Sequence, residues 1–427
     1  MLNLLRKTAP WIVASLATSV FGQDGCAPAR SPKSCCCQPK PCPPWPEPNL
    51  IPAYNHSARV ETSHPWDVWG EASFIYWQPV QENMDVGLVL EPHSLPVTYV
   101  RVAPFTVGPT TSFSALDMDF KFKPGFKVGA GWKMNHDMWD AHLEYTWFHC
   151  KQHRSKTADI GSTGIAPSSP PGFPVQVNTG GILPTWGFPF VNTYDDSTAA
   201  DQLGSLIFES AEEKWHLNMD LLELDVGRWC YTGCKLTFRP AFGLRAACIR
   251  QHANVVYSNT RGLGVSVITQ LATPIDKNEI NARTNSWGIG PKIALDTNWA
   301  VGKGFRFFGD MEADILYTRY TKLSMSQQNT MLAGLPGFNS IVANPVKYKD
   351  HRGALRTHLE LELGLGWGTY FDCNNWYLDL SAGYEFQVFY DQNMFKHFDS
   401  TLVNGSGSLP YGNLYIQGLN VTARLDF

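Results

Sequence analysis

The feature that most constrains this chain is strict alternation of apolar and polar side chains over long segments. Trp376, Leu378, Leu380, Ala382, Tyr384, Phe386 and Val388 alternate with Tyr377, Asp379, Ser381, Gly383, Glu385 and Gln387. Trp139, Ala141, Leu143, Tyr145 and Trp147 alternate with Asp140, His142, Glu144 and Thr146. A period of two puts successive side chains on opposite faces of a strand, so each segment reads as a strand with one apolar and one polar face. Ten segments read this way: 66–78, 117–134, 139–150, 215–229, 235–253, 285–299, 305–320, 354–370, 375–390 and 411–427. Most are longer than the usual ~5–6 residues of a globular strand. They reach the roughly 9–11 residues that a tilted strand needs to cross a bilayer.

The connections carry a second pattern. Residues 135–138, 230–234, 300–304 and 371–374 are short turns, whereas 79–116, 151–214, 254–284, 321–353 and 391–410 are long loops. Short and long alternate along the chain. A sandwich gives no reason for that sorting. An antiparallel transmembrane β-barrel does, with short periplasmic turns, long extracellular loops and both termini on the periplasmic side. The expected fold is therefore an all-β barrel of about ten strands. A hairpin within 86–103 offers twelve as the alternative.

Composition agrees. Mean hydropathy is −0.20, and no run after residue 25 supplies the ~18 apolar residues of a transmembrane helix. A closed barrel turns only alternate residues to lipid, which keeps apolar content modest. A net charge of −4 gives no basic footprint for nucleic acid. Nine of the 15 Trp fall near strand ends, at Trp66, Trp139, Trp147, Trp215, Trp229, Trp287, Trp299, Trp367 and Trp376. That is where interfacial girdles lie. One strand breaks phase: Trp215, Leu217, Met219 and Leu221 share a face onto which Glu223 and Asp225 then fall. A β-bulge at Leu221–Leu222 would restore Leu224 and Val226 to the lipid face.

Three regions are expected. Residues 1–22 read as a secretory signal peptide, with Arg6 and Lys7 before a short apolar run. Residues 23–65 form a Cys/Pro-rich periplasmic segment, and 66–427 the barrel. The stretch 26–48 holds Cys26, Cys35, Cys36, Cys37 and Cys42 among prolines that bar helix and central strand. Disulfide chemistry suits an exported tail of this kind. Metal binding is the rival, without a His in the stretch and with poor zinc spacing.

The segments WGEASFIYWQP at 69–79, LDMDFKFKPGFKVGAGW at 116–132 and WDAHLEYTWFH at 139–149 resemble the Legionella-type major outer membrane protein family, also found in environmental chlamydiae. The alternating C-terminal strand ending in Phe427 resembles it as well. The likeness covers roughly 66–427 and is patchy in the loops. It implies an outer-membrane barrel with a porin or structural envelope role. It offers no catalytic motif to carry over, and the Cys/Pro-rich tail is a departure from it. Disulfide-linked envelopes of Chlamydia-like bacteria are what the resemblance adds to the cysteine pattern.

Topology places Cys230, Cys234 and Cys373 in periplasmic turns, on the side of the tail cysteines. Cys248 falls on a lipid face and Cys150 at an outer strand end. Cross-linking to other envelope proteins is one reading, and intramolecular pairing such as Cys230 with Cys234 the other. The inward faces carry Lys127, Lys133, Arg239, Arg245, Asp310, Glu312, Asp314, Glu360 and Glu362. These residues either form opposed walls with a transverse field or pair into a plug of salt bridges. Ten strands leave a narrow interior, since wide aqueous channels need roughly 16–18.

No nucleophile elbow, zincin or P-loop pattern occurs, so neither enzyme activity, cofactor nor metal is expected. His142 beside Asp140 and Glu144, and His358 beside Glu360, read as polar lining. Two functions stand. One is porin-like diffusion of small solutes with an envelope structural role. The other is a closed structural or adhesive barrel using its long loops, notably 151–214. Expected partners are outer-membrane lipid, the barrel-assembly machinery, other envelope proteins through disulfides and further copies of the chain, with no nucleic acid.

Overall fold

A computed structural model describes residues 58–427 apart from 64–66, 91–99, 103–104, 108–112, 135–137, 159–163, 166–175, 178–180, 187–207, 233–234, 261–274, 332–345, 396, 399–406 and 409–410. Residues 1–57, which include the signal-peptide region and the tail cysteines, lie outside the described residues with Trp66 and Cys234.

Ten long strands form the barrel: β1 (Val68–Gln81), β2 (Lys123–Lys133), β3 (Asp140–Thr157), β4 (Phe208–Gly227), β5 (Leu236–Thr260), β6 (Ile275–Gly302), β7 (Phe305–Met331), β8 (Val346–Phe371), β9 (Trp376–Asn393) and β10 (Gly412–Asp426). Each pairs antiparallel with its sequence neighbour, and β1 pairs with β10 to close the ring. Closure satisfies every ladder and leaves no edge in lipid.

The stagger follows from the register. Register partners traced from Ala72 through Val128, Tyr145, Leu222, Ala246, Ile289 and Tyr317 arrive at Leu355 on β8. Traced the other way, through Ala423 and Leu380, they arrive at Trp367, twelve residues further along β8. A ring of ten strands with that stagger tilts them by about 40°.

The lipid face is apolar where the alternation predicts it. Phe242, Ile293, Leu363 and Leu365 are exposed on the outside, while Lys127, Arg239, Arg245 and Glu360 are buried inside. Trp287 and Trp299 mark two ends of one outward face on β6, 41% and 58% exposed. Twelve tilted residues span about 30 Å, the thickness of a bilayer core. The connections β2–β3, β4–β5, β6–β7 and β8–β9 are short. The β6–β7 turn is tight, with Lys303 and Gly304 both in the left-handed region at φ 54 and 83. The backbones of Val68 and Phe427 pair at the same rim, so both ends of the barrel meet there.

The structure corrects several expectations. The outer parts of β5, β6, β7 and β8 run far into segments read as loops. There the pattern inverts: Val255, Tyr257, Ile280 and Met325 point inward and are buried, while Asn254, Asn281 and Ser324 point outward. An apolar-outward criterion stops at this inversion, although the strands do not. β4 has no bulge, because its pairings with β3 and β5 run without a register shift. Trp215, Leu217, Met219 and Leu221 face the lumen together with Glu223 and Asp225, and Leu222 and Leu224 already face lipid. Trp215 is therefore interior, not part of a girdle. Cys150 is not at a strand end, since β3 continues to Thr157 and buries it inward. The 86–103 segment adds no barrel hairpin. Gly87–Leu90 pairs with Phe113–Ala115 and Gly181–Pro184, and Val100–Val102 pairs with Phe105–Val107. The barrel count is ten.

Candidate functional site: the filled lumen

Lumen positions follow strand parity, shifted by one residue on β7 where the pairing slips between Tyr320 and Leu323. On the periplasmic half the inward residues are charged, and they interlock. Arg245, with no solvent exposure, meets Glu223 at 2.7 Å, Asp314 at 2.7 Å and Glu360 at 3.0 Å, and also bonds Glu312. Lys127 reaches Glu385 at 3.2 Å, Glu360 at 3.3 Å and Glu144 at 3.6 Å. Lys292 bridges Glu223 at 2.5 Å and Glu312 at 2.8 Å. Arg239 holds Asp140 and Asp225, both at 2.6 Å, and Asp296 at 2.9 Å.

Nearer the rim Lys133 pairs with Asp426 at 2.7 Å, which Arg424 also grips at 2.9 Å. Glu362 accepts a bond from the Asn420 amide at 3.0 Å, and Asp310 lines the same cavity. Low dielectric strengthens each contact, and an unmatched charge here would be costly. Of the two arrangements open for the predicted charges, the structure holds them as an interlocked network and not as opposed walls. The network surrounds a cavity of about 360 Å³ whose lining includes Arg59 and Val60 from the N-terminal stretch.

His142 sits between Glu71 at 2.7 Å and Asp225 at 3.7 Å. His358 meets Asp314 at 2.8 Å. Both histidines lie inside the lumen. Two trios, Glu71–His142–Glu144 and Glu223–Glu312–Glu360, bring ligand atoms within 4.8 Å of one another. Each already contacts protein cations: Lys127 in the first, Arg245 and Lys292 in the second.

The outer half of the lumen is mostly apolar and closely packed. Ile75, Trp77, Phe148, Trp215, Leu217, Tyr257, Ile280 and Leu414 each show 0% exposure. Trp77 packs on Phe148 at 5.4 Å between ring centres. Bonds cross the lumen: Gln251 to Gln81 at 3.0 Å, and Gln392 to Ser286 at 3.0 Å. Inserted loop segments complete the closure, with Met84, Val86, Leu116, Ile182 and Trp186 in the same apolar cluster. Tyr257 donates to the Val86 carbonyl. In this loop, outside the spanning segments, burial pushes the Asp85 carboxyl above the usual range and the Asp117 charge adds to it.

Sequence reading missed this plug and several network members, among them Lys292, Glu223, Glu385 and Glu71. The signal was present. Continuing the lumen parity outward gives Glu71, Ser73, Ile75, Trp77 on β1 and Glu144, Thr146, Phe148, Cys150 on β3.

Among the cysteines, Cys26, Cys35, Cys36, Cys37, Cys42 and Cys234 lie outside the described residues. Cys230 and Cys373 sit at the periplasmic turns, and Cys248 is exposed on the outer wall. The stretch leading from the Cys-rich segment runs along these turns. The Ala58 amide donates to the Trp229 carbonyl at 3.2 Å, and the Ser63 amide to the Asn374 carbonyl at 2.8 Å.

A family profile described as the Legionella pneumophila major outer membrane protein precursor matches residues 60–426. No curated protein sequence matches. Among solved structures, the outer membrane protease OmpT from Escherichia coli is 11% identical, with a TM-score of 0.36 over 87% of this chain and 99% of that one. A Pseudomonas aeruginosa FadL homologue is 7% identical, with a TM-score of 0.25 over 84% and 90% of the two chains. The Pseudomonas putida toluene transporter TodX is 7% identical, with a TM-score of 0.18 over 85% and 91%.

Proposed function

This chain belongs to the Legionella major outer membrane protein family, and we propose that it serves the bacterial outer membrane as a closed structural barrel, not as an open diffusion pore. One observation carries the reading. The outer half of the lumen is packed with side chains that no water reaches, among them Trp77, Phe148 and Trp215. A solute would have to displace them at core-like cost. What remains for function is the envelope itself and the long outer loops.

Planar-bilayer recording of refolded, purified protein tests this. No conductance steps are expected at moderate voltage. Regular steps from folded wild-type protein would overturn the closed reading and restore the porin.

The envelope role extends to disulfides. The backbone contacts of Ala58 and Ser63 lead the chain past the turns that hold Cys230 and Cys373. The proline-rich segment that precedes this stretch supplies further thiols for cross-links to other envelope proteins. Non-reducing electrophoresis of the native envelope should show high-mass species that collapse to monomer on reduction. Monomer mobility in both conditions would defeat the cross-linking.

A further inference from the structure

We propose that the outer wall of β3–β7, just above the lipid band, is a docking surface for phosphorylated glycolipid headgroups of the outer leaflet. Lys151, Arg250, Arg283, Arg319 and Lys322 all point outward on this flank and are exposed. With the strand stagger allowed for, they fall within about 10 Å of height. Arg319 borders aromatic residues on this face. Arg319 is the cross-strand partner of Trp287, and Tyr317 lies two residues below it on the same face. Arg250 and Lys322 flank Asn285 from either side. His149, His216 and His252 fill the gaps.

Acid on this belt is sparse and occupied. Asp220 is bonded by Arg250 at 2.9 Å, His149 at 3.1 Å and Tyr145 at 2.9 Å. Glu212 is held by Lys214 at 2.7 Å and His153 at 2.9 Å. Among the described residues, the ion pairs leave Lys151, Arg283, Arg319 and Lys322 without a carboxylate partner. The charge belt is one-sided. At the same height the opposite flank carries Glu82, Asn413 and Tyr415, bonded to one another.

These cations face the membrane plane, not the lumen, so a solute in transit would not meet them. The ligand that occupies this height beside an outer-membrane barrel is the headgroup of an outer-leaflet lipid. Four unpaired cations above a Trp/Tyr ledge complement one with phosphates above acyl chains. The inference rests on the outer-membrane placement alone and holds whether or not the lumen conducts.

The test titrates refolded protein in neutral-detergent micelles with a bisphosphorylated, acylated diglucosamine. Wild type should bind it, and Arg283→Gln/Arg319→Gln/Lys322→Gln should weaken binding by roughly a hundredfold. The charge-keeping Arg283→Lys/Arg319→Lys/Lys322→Arg should stay within a few-fold of wild type. Heat-modifiable gel mobility reports folding. Should the neutral triple fail to fold, Lys151→Gln and Lys322→Gln singly are expected to weaken binding by about fivefold each. Equal affinity for the dephosphorylated lipid, undiminished binding by the neutral variants, or full competition by inorganic phosphate would each overturn the proposal.

Discussion

Arg245 is the residue on which the charged lumen turns. It has no solvent exposure and contacts four carboxylates from three strands: Glu223, Glu312, Asp314 and Glu360. Replacing it by methionine removes the shared counter-charge and leaves those acids facing one another in a low dielectric. Breaking a buried pair costs about 3–5 kcal/mol, so Arg245→Met should lower the unfolding free energy of the refolded barrel by that much. Arg250→Ala is the control, half-exposed on the outer wall against Asp220, and should cost under about 1 kcal/mol. Equal effects from the two would mean that the lumen is wet. Sequence alone gave the inward direction of Arg245 through parity. It could not give its partners, because these come from β4, β7 and β8 and meet only once the barrel has curved.

At the scale of one strand, β4 shows what alternation can and cannot say. Its period of two is unbroken from Trp215 to Val226, yet the apolar parity swaps faces at Leu221–Leu222. The physical reason is a change of solvent along the strand. Below that point the outside is lipid and the inside is polar. Above it the outside is water and the inside is a packed core, as in a soluble barrel. A pattern that changes meaning midway looks like a bulge when one environment is assumed throughout. The same assumption shortened β5, β6, β7 and β8 and moved Trp215 to a girdle.

The environment is testable by cysteine labelling in a background whose native cysteines are replaced by serine. Leu224→Cys should react with a lipid-soluble maleimide and Asn218→Cys with a water-soluble one. Met219→Cys should resist both while the barrel is folded. Labelling of Met219→Cys from the lipid side would reinstate the bulge.

For the whole molecule, the two layers act as closures in series. The ring itself was legible from strand count and loop lengths. The way it is filled was not, because filling depends on which side chains face each other across the lumen. Ions crossing the barrel would have to pass the apolar plug and then the Arg245 layer that floors it. Conductances in series are set by the tighter element, so opening one alone should change little. Trp77→Ala/Trp215→Ala removes two large, fully buried side chains from the plug. Each such truncation costs about 3–5 kcal/mol, so the variant should be markedly less stable. In a planar bilayer it should still pass no current, because Arg245 continues to bridge β5 to β7 and β8 beneath the void. Adding Arg245→Ser should bring small, cation-preferring steps, since the carboxylates then face open water with Lys127 and Lys292 only partly balancing them. Steps from the double variant alone would identify the plug as the sole closure. Silence from the triple variant, with folding verified by gel mobility, would mean that the outer loops seal the mouth independently.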